Sequence, residues 1–144
     1  MDKSGAYLGF DFGTKRIGVA VGQKITRTAS PLETIRSEKK RVRWEAIDRL
    51  VADWQPQALI VGIAYQEDGG DNPITPLIRK FCRQLEARYR LPVHNVDERL
   101  TSIESRRMLF DELNLRARGV HAFNDQVAAK LILQTWLDDH ERAA

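Results

Sequence analysis

Residues 8–20 read Leu8-Gly9-Phe10-Asp11-Phe12-Gly13-Thr14-Lys15-Arg16-Ile17-Gly18-Val19-Ala20. Two apolar stretches flank a Gly-Thr-Lys-Arg step, and a single carboxylate sits at the end of the first. The short apolar run Ala6–Phe10 predicts a strand ending at Asp11. Arg16–Val21, rich in β-branched residues after the Gly-Thr turn, predicts a second strand hairpinned to it. Asp11 is the only acid in this hairpin, so the question is what a carboxylate does at the end of a core strand.

Moving outward, Ala29–Ile35 reads as a third strand, and Pro31 places it at a sheet edge. The period then changes. Val42, Ala46, Ile47, Leu50, Val51 and Trp54 mark one helix face, ended near Pro56. Ala58–Gly62 is a continuous apolar run, as expected of a strand buried on both faces. Ile63–Asn72 is polar and Gly-rich, hence a loop. Ile74, Leu77, Ile78, Phe81, Cys82, Leu85 and Tyr89 give the cleanest helical stripe, which makes Cys82 a core residue and not a nucleophile.

Past Pro92, Val93–Val96 predicts a short strand leading into Asp97-Glu98. Thr101-Ser102-Ile103-Glu104 has the capping-box pattern that opens a helix. Arg116–Phe123 reads as a basic loop. Asn124-Asp125 opens a last helix whose Ala128, Ala129, Ile132, Leu133, Trp136 and Leu137 face inward. The order β-β-β-α-β-α-β-α-α predicts an α/β fold, a mixed sheet with helices on both faces. The 144 residues suit one domain, 1–144, with neither repeat nor linker.

No apolar run approaches the roughly 20 residues of a membrane helix, and Met1–Gly5 carries no apolar region of a secretory signal. One cysteine fits a reducing, cytoplasmic setting. The expectation is a cytoplasmic protein with no membrane partner, as monomer or homodimer. The net charge of +3 and pI of about 9.2 point only weakly to nucleic acid. Local clusters say more: Lys39-Lys40-Arg41 with Arg43, Arg79-Lys80 with Arg83, Arg106-Arg107, and Arg116 with Arg118. Such clusters can neutralise phosphates, the alternative being solvated helix faces.

Three acidic positions close or open elements: Asp11, the Asp97-Glu98 pair and Asp125. Strand ends of α/β sheets commonly form ligand sites. Converging carboxylates repel unless a cation joins them. Mg²⁺ or Mn²⁺ suits such oxygen ligands, and two ions roughly 4 Å apart serve phosphodiester cleavage. Simpler readings stand beside this one. Asp11 would cap a turn, and Asp125 would complement its helix dipole. Strand alternation lets only one of Asp97 and Glu98 share a face with Asp11.

The segments Asp11–Ala20, Ile60–Ile63, Val96-Asp97-Glu98-Arg99-Leu100-Thr101-Ser102 and Asp125–Ala129, with Ile132-Leu133-Gln134, together resemble the YqgF (RuvX) family. The resemblance runs in order along nearly the whole chain. That family is described both as Holliday-junction resolvases and as pre-ribosomal-RNA nucleases of ribonuclease H-like fold. The resemblance therefore implies a ribonuclease H-like five-stranded sheet and a metal-dependent nuclease acting at the 5′ end of precursor 16S ribosomal RNA, with branched DNA as the alternative substrate. It implies Asp11, Glu98 and Asp125 as catalytic and metal-holding residues, with Mg²⁺ or Mn²⁺ as cofactor. The choice of Glu98 over Asp97 comes from analogy with related resolvases. Lys15, Arg16, Lys39, Lys40, Arg41, Arg99, Arg116 and Arg118 are the candidate nucleic-acid contacts, and ribosomal-subunit precursors the expected partners.

The chain departs from the family pattern after Gly62. Ile63-Ala64-Tyr65-Gln66-Glu67-Asp68-Gly69 stands where Leu-Pro-x-Asn-x-Asp-Gly is usual. Val120-His121-Ala122-Phe123-Asn124 precedes the last acid, and His121 is a candidate for proton transfer or product release. Two other classes compete. Asp-x-Gly-Thr also opens the phosphate motif of actin-like ATPases and sugar kinases, but those clasp ATP between two such domains. A non-catalytic RNA-binding assembly factor is the third class, and retention of all three acidic positions argues against it.

Overall fold

The computed structural model describes residues 5–100 and 125–143. Strands β1 (Ala6–Phe12), β2 (Arg16–Gln23) and β3 (Thr28–Arg36) form an antiparallel meander. Helix α1 (Trp44–Trp54) crosses to β4 (Ala58–Ile63), and α2 (Thr75–Tyr89) crosses to β5 (Val93–Asp97); β4 and β5 run parallel to β1 and to each other. A single 3₁₀ turn, Glu98–Leu100, follows, and α3 (Asp125–Ala143) closes the described chain. The sheet order is β3-β2-β1-β4-β5.

Most expected elements are present, with shifted ends. β1 runs on to Phe12, because hairpin pairing continues through Asp11↔Gly18 and Phe12↔Ile17. Asp11 thus lies just inside the strand and not at its end. β4 takes in Ile63, which pairs with Asp97. Helix α1 begins at Trp44, so Val42 packs against the core from ahead of the helix. β3 is an edge strand, as Pro31 requires, and its register slips opposite Val19/Ala20. The expected helix from Thr101 and the basic loop Arg116–Phe123 lie outside the described residues.

Two cores flank the sheet. Under α1 and α2, bulky residues fill the space: Leu8, Phe10, Ile17, Leu59 and Val61 from the strands meet Ile47, Ile78, Phe81 and Leu85. Phe81 touches both Phe10 and Trp44, with ring centroids at 5.7 Å in each case. Cys82 is buried there and receives the Asn95 side-chain amide at 3.2 Å; burial pushes its thiol pKa up, as befits a core residue. On the other face the strands present small residues, Ala20, Ala29 and Ala58, to Ala128, Ala129, Ile132 and Leu133 of α3. The side chain of Gln134 pins α3 to the edge strand, accepting from Ala29 N–H at 2.9 Å and donating to the Arg27 carbonyl at 2.9 Å. It thereby satisfies edge-strand backbone groups that no further strand covers.

Candidate active site

Strand alternation decides which acids share a face. In β1, Leu8 and Phe10 belong to the core under α1 and α2, and Tyr7 to the core under α3. Asp11 has the parity of Tyr7 and so lies on the α3 side, where it is 7% exposed. Its neighbours across the sheet are both glycines. Gly18 pairs with it directly, and Gly62 stands one residue beyond the Phe10↔Val61 pair.

Both glycines are required by what lies over them. A Cβ at Gly18 would fall 1.9 Å from the Asp125 carbonyl oxygen and 2.7 Å from its Cβ. The first turn of α3 therefore rests directly on β2 backbone. A Cβ at Gly62 would fall 2.4 Å from Ile132 Cδ1 and 3.2 Å from Glu98 Cγ. Glycine in the interior of an apolar strand signals such close approach, and that sequence signal was available at both positions. Neighbouring strands are about 4.8 Å apart, so Asp125 and Glu98 stand over the two strands that flank Asp11.

The same alternation separates Asp97 from Glu98. Val96 and His94 lie on the α3 side, with His94 stacked on Trp136 at 5.2 Å. Asn95 reaches Cys82 on the opposite side, and Asp97 shares its parity. The Asp97 carboxylate accepts from Arg99 N–H and Nε, each at 3.0 Å, and the Arg99 guanidinium holds its pKa below the usual carboxylate range. Asp97 is thus the residue that fixes the turn after β5, while the Glu98 side chain lies over Gly62.

The chemistry of the donors suits a hard divalent cation: carboxylate oxygens on one sheet face, one of them buried. Asp125 is engaged by a cation. Its Oδ2 accepts from Arg16 Nε at 2.8 Å. Among the described residues no three acidic, His or Cys side chains stand close enough together to hold a metal ion. The arrangement is a set of carboxylates on one sheet face, one of them paired with a cation on β2.

The basic candidates fall in three places. Lys15 is exposed in the β1–β2 turn, and Arg16 opens β2. Arg99 lies in the 3₁₀ turn, its guanidinium 5.4 Å from the Tyr65 ring; Arg79, paired with Asp71 at 2.8 Å, approaches the same ring at 5.9 Å. Lys39, Lys40 and Arg41 do not lie on a helix face. They form a tight reversal ahead of α1 in which Glu38 and Arg41 exchange backbone hydrogen bonds. Arg116, Arg118 and His121 lie outside the described residues.

Residues 5–139 match the family described as RuvX, Holliday junction resolvase. A protein of Methylococcus capsulatus named "Putative pre-16S rRNA nuclease" is 51% identical over 136 residues, covering 94% of this chain and 90% of the relative. Relatives of the same name in Legionella pneumophila (strain Philadelphia 1) and Bordetella petrii are each 47% identical, covering 95% and 91% of this chain and 98% and 93% of their own. Among solved structures, Thermus thermophilus RuvC in complex with a Holliday junction superposes with a TM-score of 0.56 at 16% identity, covering 94% of this chain and 95% of that one. The fowlpox virus Holliday junction resolvase gives 0.55 at 14% identity, covering 93% and 99%. At such identities the likeness is one of fold, the ribonuclease H-like sheet.

Proposed function

The chain belongs to the RuvX family, and from that premise we propose that it is a nuclease hydrolysing phosphodiester bonds at the carboxylate face of its sheet, with precursor 16S ribosomal RNA cut near its 5′ end. The observation that carries this reading is the setting of Asp11, a buried acid flanked on both neighbouring strands by glycines that admit Asp125 and Glu98. A core has no use for a carboxylate placed so, since burial disfavours its charge. A hydrolytic centre does.

Asp11, Glu98 and Asp125 would hold Mg²⁺ or Mn²⁺. Such an ion, when bound, supplies an activated water and stabilises charge on the phosphoryl oxygens. The chain's own residues do the rest. Gly18 and Gly62 let two acids approach a third across bare backbone. Arg16 holds the Asp125 carboxylate and is positioned to move to a substrate phosphate. Exposed Lys15, one residue before it, extends that contact along the nucleic acid. Asp97 fixes Arg99 at the rim through the turn that carries Glu98. The setting that fits this substrate is the cytoplasm, with precursors of the small ribosomal subunit as partners. Among the described residues no helix is long and apolar enough to cross a membrane.

The test sets an RNA spanning the 5′ end of precursor 16S RNA beside a four-way DNA junction, each with Mg²⁺, Mn²⁺ or a chelator. Cleavage of the RNA that needs either metal supports the proposal. Cleavage of the junction alone shifts the substrate to branched DNA, the activity in the family's description. Binding of RNA without cleavage in any metal leaves a non-catalytic assembly factor.

A further inference from the structure

The arginines described around the sheet are mostly neutralised. Arg16, Arg49, Arg79, Arg88 and Arg99 each bind a carboxylate within 3.0 Å. Among the described basic residues without such a pair, one cluster gathers around a cavity. Lys39, Lys40, Arg41 and Lys80 form no ion pair among the described residues. Three of them, Lys40, Arg41 and Lys80, line a cavity of about 370 Å³ together with Phe12, Trp44 and Leu77. That volume is in the range of small-molecule pockets, which run from roughly 300 Å³ upward. Charge on one wall and aromatic surface on another is the pairing that single-stranded nucleic acid requires.

The turn that delivers these cations is strained. Lys39 and Lys40 have φ of 52° and 62°. Both central residues of a two-residue reversal are thus left-handed, a geometry that favours Asn-Gly. Lysine in that region carries a steric cost that glycine does not. Nothing in the packing explains two consecutive lysines there, since both side chains are exposed. Trp44, by contrast, packs on Phe81, with ring centroids 5.7 Å apart, and has the Arg88 guanidinium 5.3 Å from its ring. Leu77 is 44% exposed, an apolar surface left open at the mouth.

The cavity lies at the end of β1 that carries Asp11. Phe12 follows Asp11 directly in β1, one residue or roughly 3.4 Å along the strand, but on the opposite side of the sheet. A second cavity, of about 500 Å³, shares Arg41 and Val42 with it, but its charge is mixed: Lys39 and Arg43 line it together with Glu38 and Glu45.

We infer that this cavity is a subsite for an unpaired nucleotide of the substrate, a base lying on Phe12, Trp44 and Leu77 and its phosphate between Lys40, Arg41 and Lys80. It rests on the nucleic-acid reading above and narrows it. The substrate carries a single-stranded segment near the scissile bond, and the protein grips that segment past the end of the central strand β1, on the side of α1 and α2.

The test measures binding without metal, so it is independent of whether the carboxylates cut. The protein is labelled with 5-fluorotryptophan, and the ¹⁹F resonance of Trp44 is assigned through Trp44→Phe. The probes are a single-stranded RNA hexamer and a blunt RNA duplex. The hexamer should move the Trp44 resonance, and the duplex should not. Lys40→Gln with Lys80→Gln should weaken hexamer binding roughly tenfold, and should make the log–log salt dependence shallower by about 0.7 for each phosphate left without its lysine. Lys39→Asn with Lys40→Gly relieves the turn and should raise Tm by a few degrees while weakening the hexamer. A gain in both Tm and affinity, an unmoved Trp44 resonance, or an equal response to the duplex would each overturn the inference. If the hexamer moves Trp44 as expected but no RNA is cut in any metal, the subsite stands and the nuclease reading falls.

Discussion

The two faces of the sheet are built on opposite principles. Under α1 and α2, large side chains interdigitate, and the fully buried set includes Phe10, Phe81, Leu59 and Leu85. Under α3 the strands offer glycine and alanine beside Tyr7, Ile60 and Val96, and at Gly18 and Gly62 the facing residues sit almost on the backbone. Bulk on the first face supplies burial, about 25 cal/mol per Å² of apolar surface. Glycine at 18 and 62 supplies room on the second, and that room is where Glu98 and Asp125 come over the strands beside Asp11. One face carries much of the stability, and the other is where the proposed chemistry would take place. The difference predicts that substitutions on the two faces fail in different ways.

The largest expected effect is on rate. Asp11→Asn should lower cleavage roughly a thousandfold, since metal stabilisation of charge is worth several kcal/mol and each ~1.4 kcal/mol is a factor of ten. The fold should persist, as circular dichroism would show. Glu98→Gln should behave alike and Asp97→Asn far less severely. Activity that survives Glu98→Gln at every Mg²⁺ concentration but is lost in Asp97→Asn would put the reaction on the wrong face for Asp11.

How much of this could be read before the structure differs between the faces. The bulky face was legible, because a continuous apolar run at 58–62 and a helical stripe at 74–89 each have one physical meaning. The last helix was legible for the same reason. The choice between Asp97 and Glu98 was not, because alternation needs a known strand end, and the Ile63↔Asp97 pair that sets it is a tertiary contact. Gly18 and Gly62 stood in plain view, but a glycine reports close approach without naming what approaches. The Lys39–Lys40 reversal had no signal at all. Its geometry favours residues the sequence does not have, so a helix face was the natural alternative.

A matched pair of substitutions sharpens the contrast. Leu85→Ala, in the bulky core, should cost about 3 kcal/mol of stability, read as a lowered denaturant midpoint, while the folded protein cleaves at its usual rate. Gly62→Ala adds one methyl where Ile132 Cδ1 and Glu98 Cγ already stand. It should cost about 1–3 kcal/mol by overpacking and also reduce cleavage by the folded protein. If Gly62→Ala changed stability alone, the slot would be a packing device with no catalytic consequence.

Arg16 links the two halves of the carboxylate set in another way. Its pair with Asp125 is half exposed and worth about 1 kcal/mol or less. Arg16→Gln removes a competitor for that carboxylate and a positive charge beside the others. Mn²⁺ binding, followed by electron paramagnetic resonance without substrate, should tighten about fivefold. Unchanged or weaker binding would mean that Asp125 does not face the ion.

The smallest effect belongs to the rim of the bulky face, far from the carboxylates. Asp48 on α1 accepts from Arg88 Nε and Nη2 at 2.7 Å each and from the Tyr89 hydroxyl at 2.6 Å. Chiefly through Arg88, and then Tyr89, its pKa is lowered to about 2 from an ordinary value of 3.8. A carboxylate with a depressed folded pKa stabilises the fold above its unfolded pKa. That contribution is lost as pH falls from about 4 to about 2. The carboxylate is 43% exposed, so solvent screening reduces the contribution to about 1 kcal/mol. Asp48→Asn should lower stability by that amount at pH 7 and flatten the acid limb between pH 4 and 2, measured by urea unfolding across pH. Cleavage at pH 7 should not change, because Asp48 lines neither the carboxylate face nor the cavity of Lys40, Arg41 and Lys80. A loss of rate at pH 7 in Asp48→Asn, with the fold intact, would break the division of labour between the faces at its weakest point.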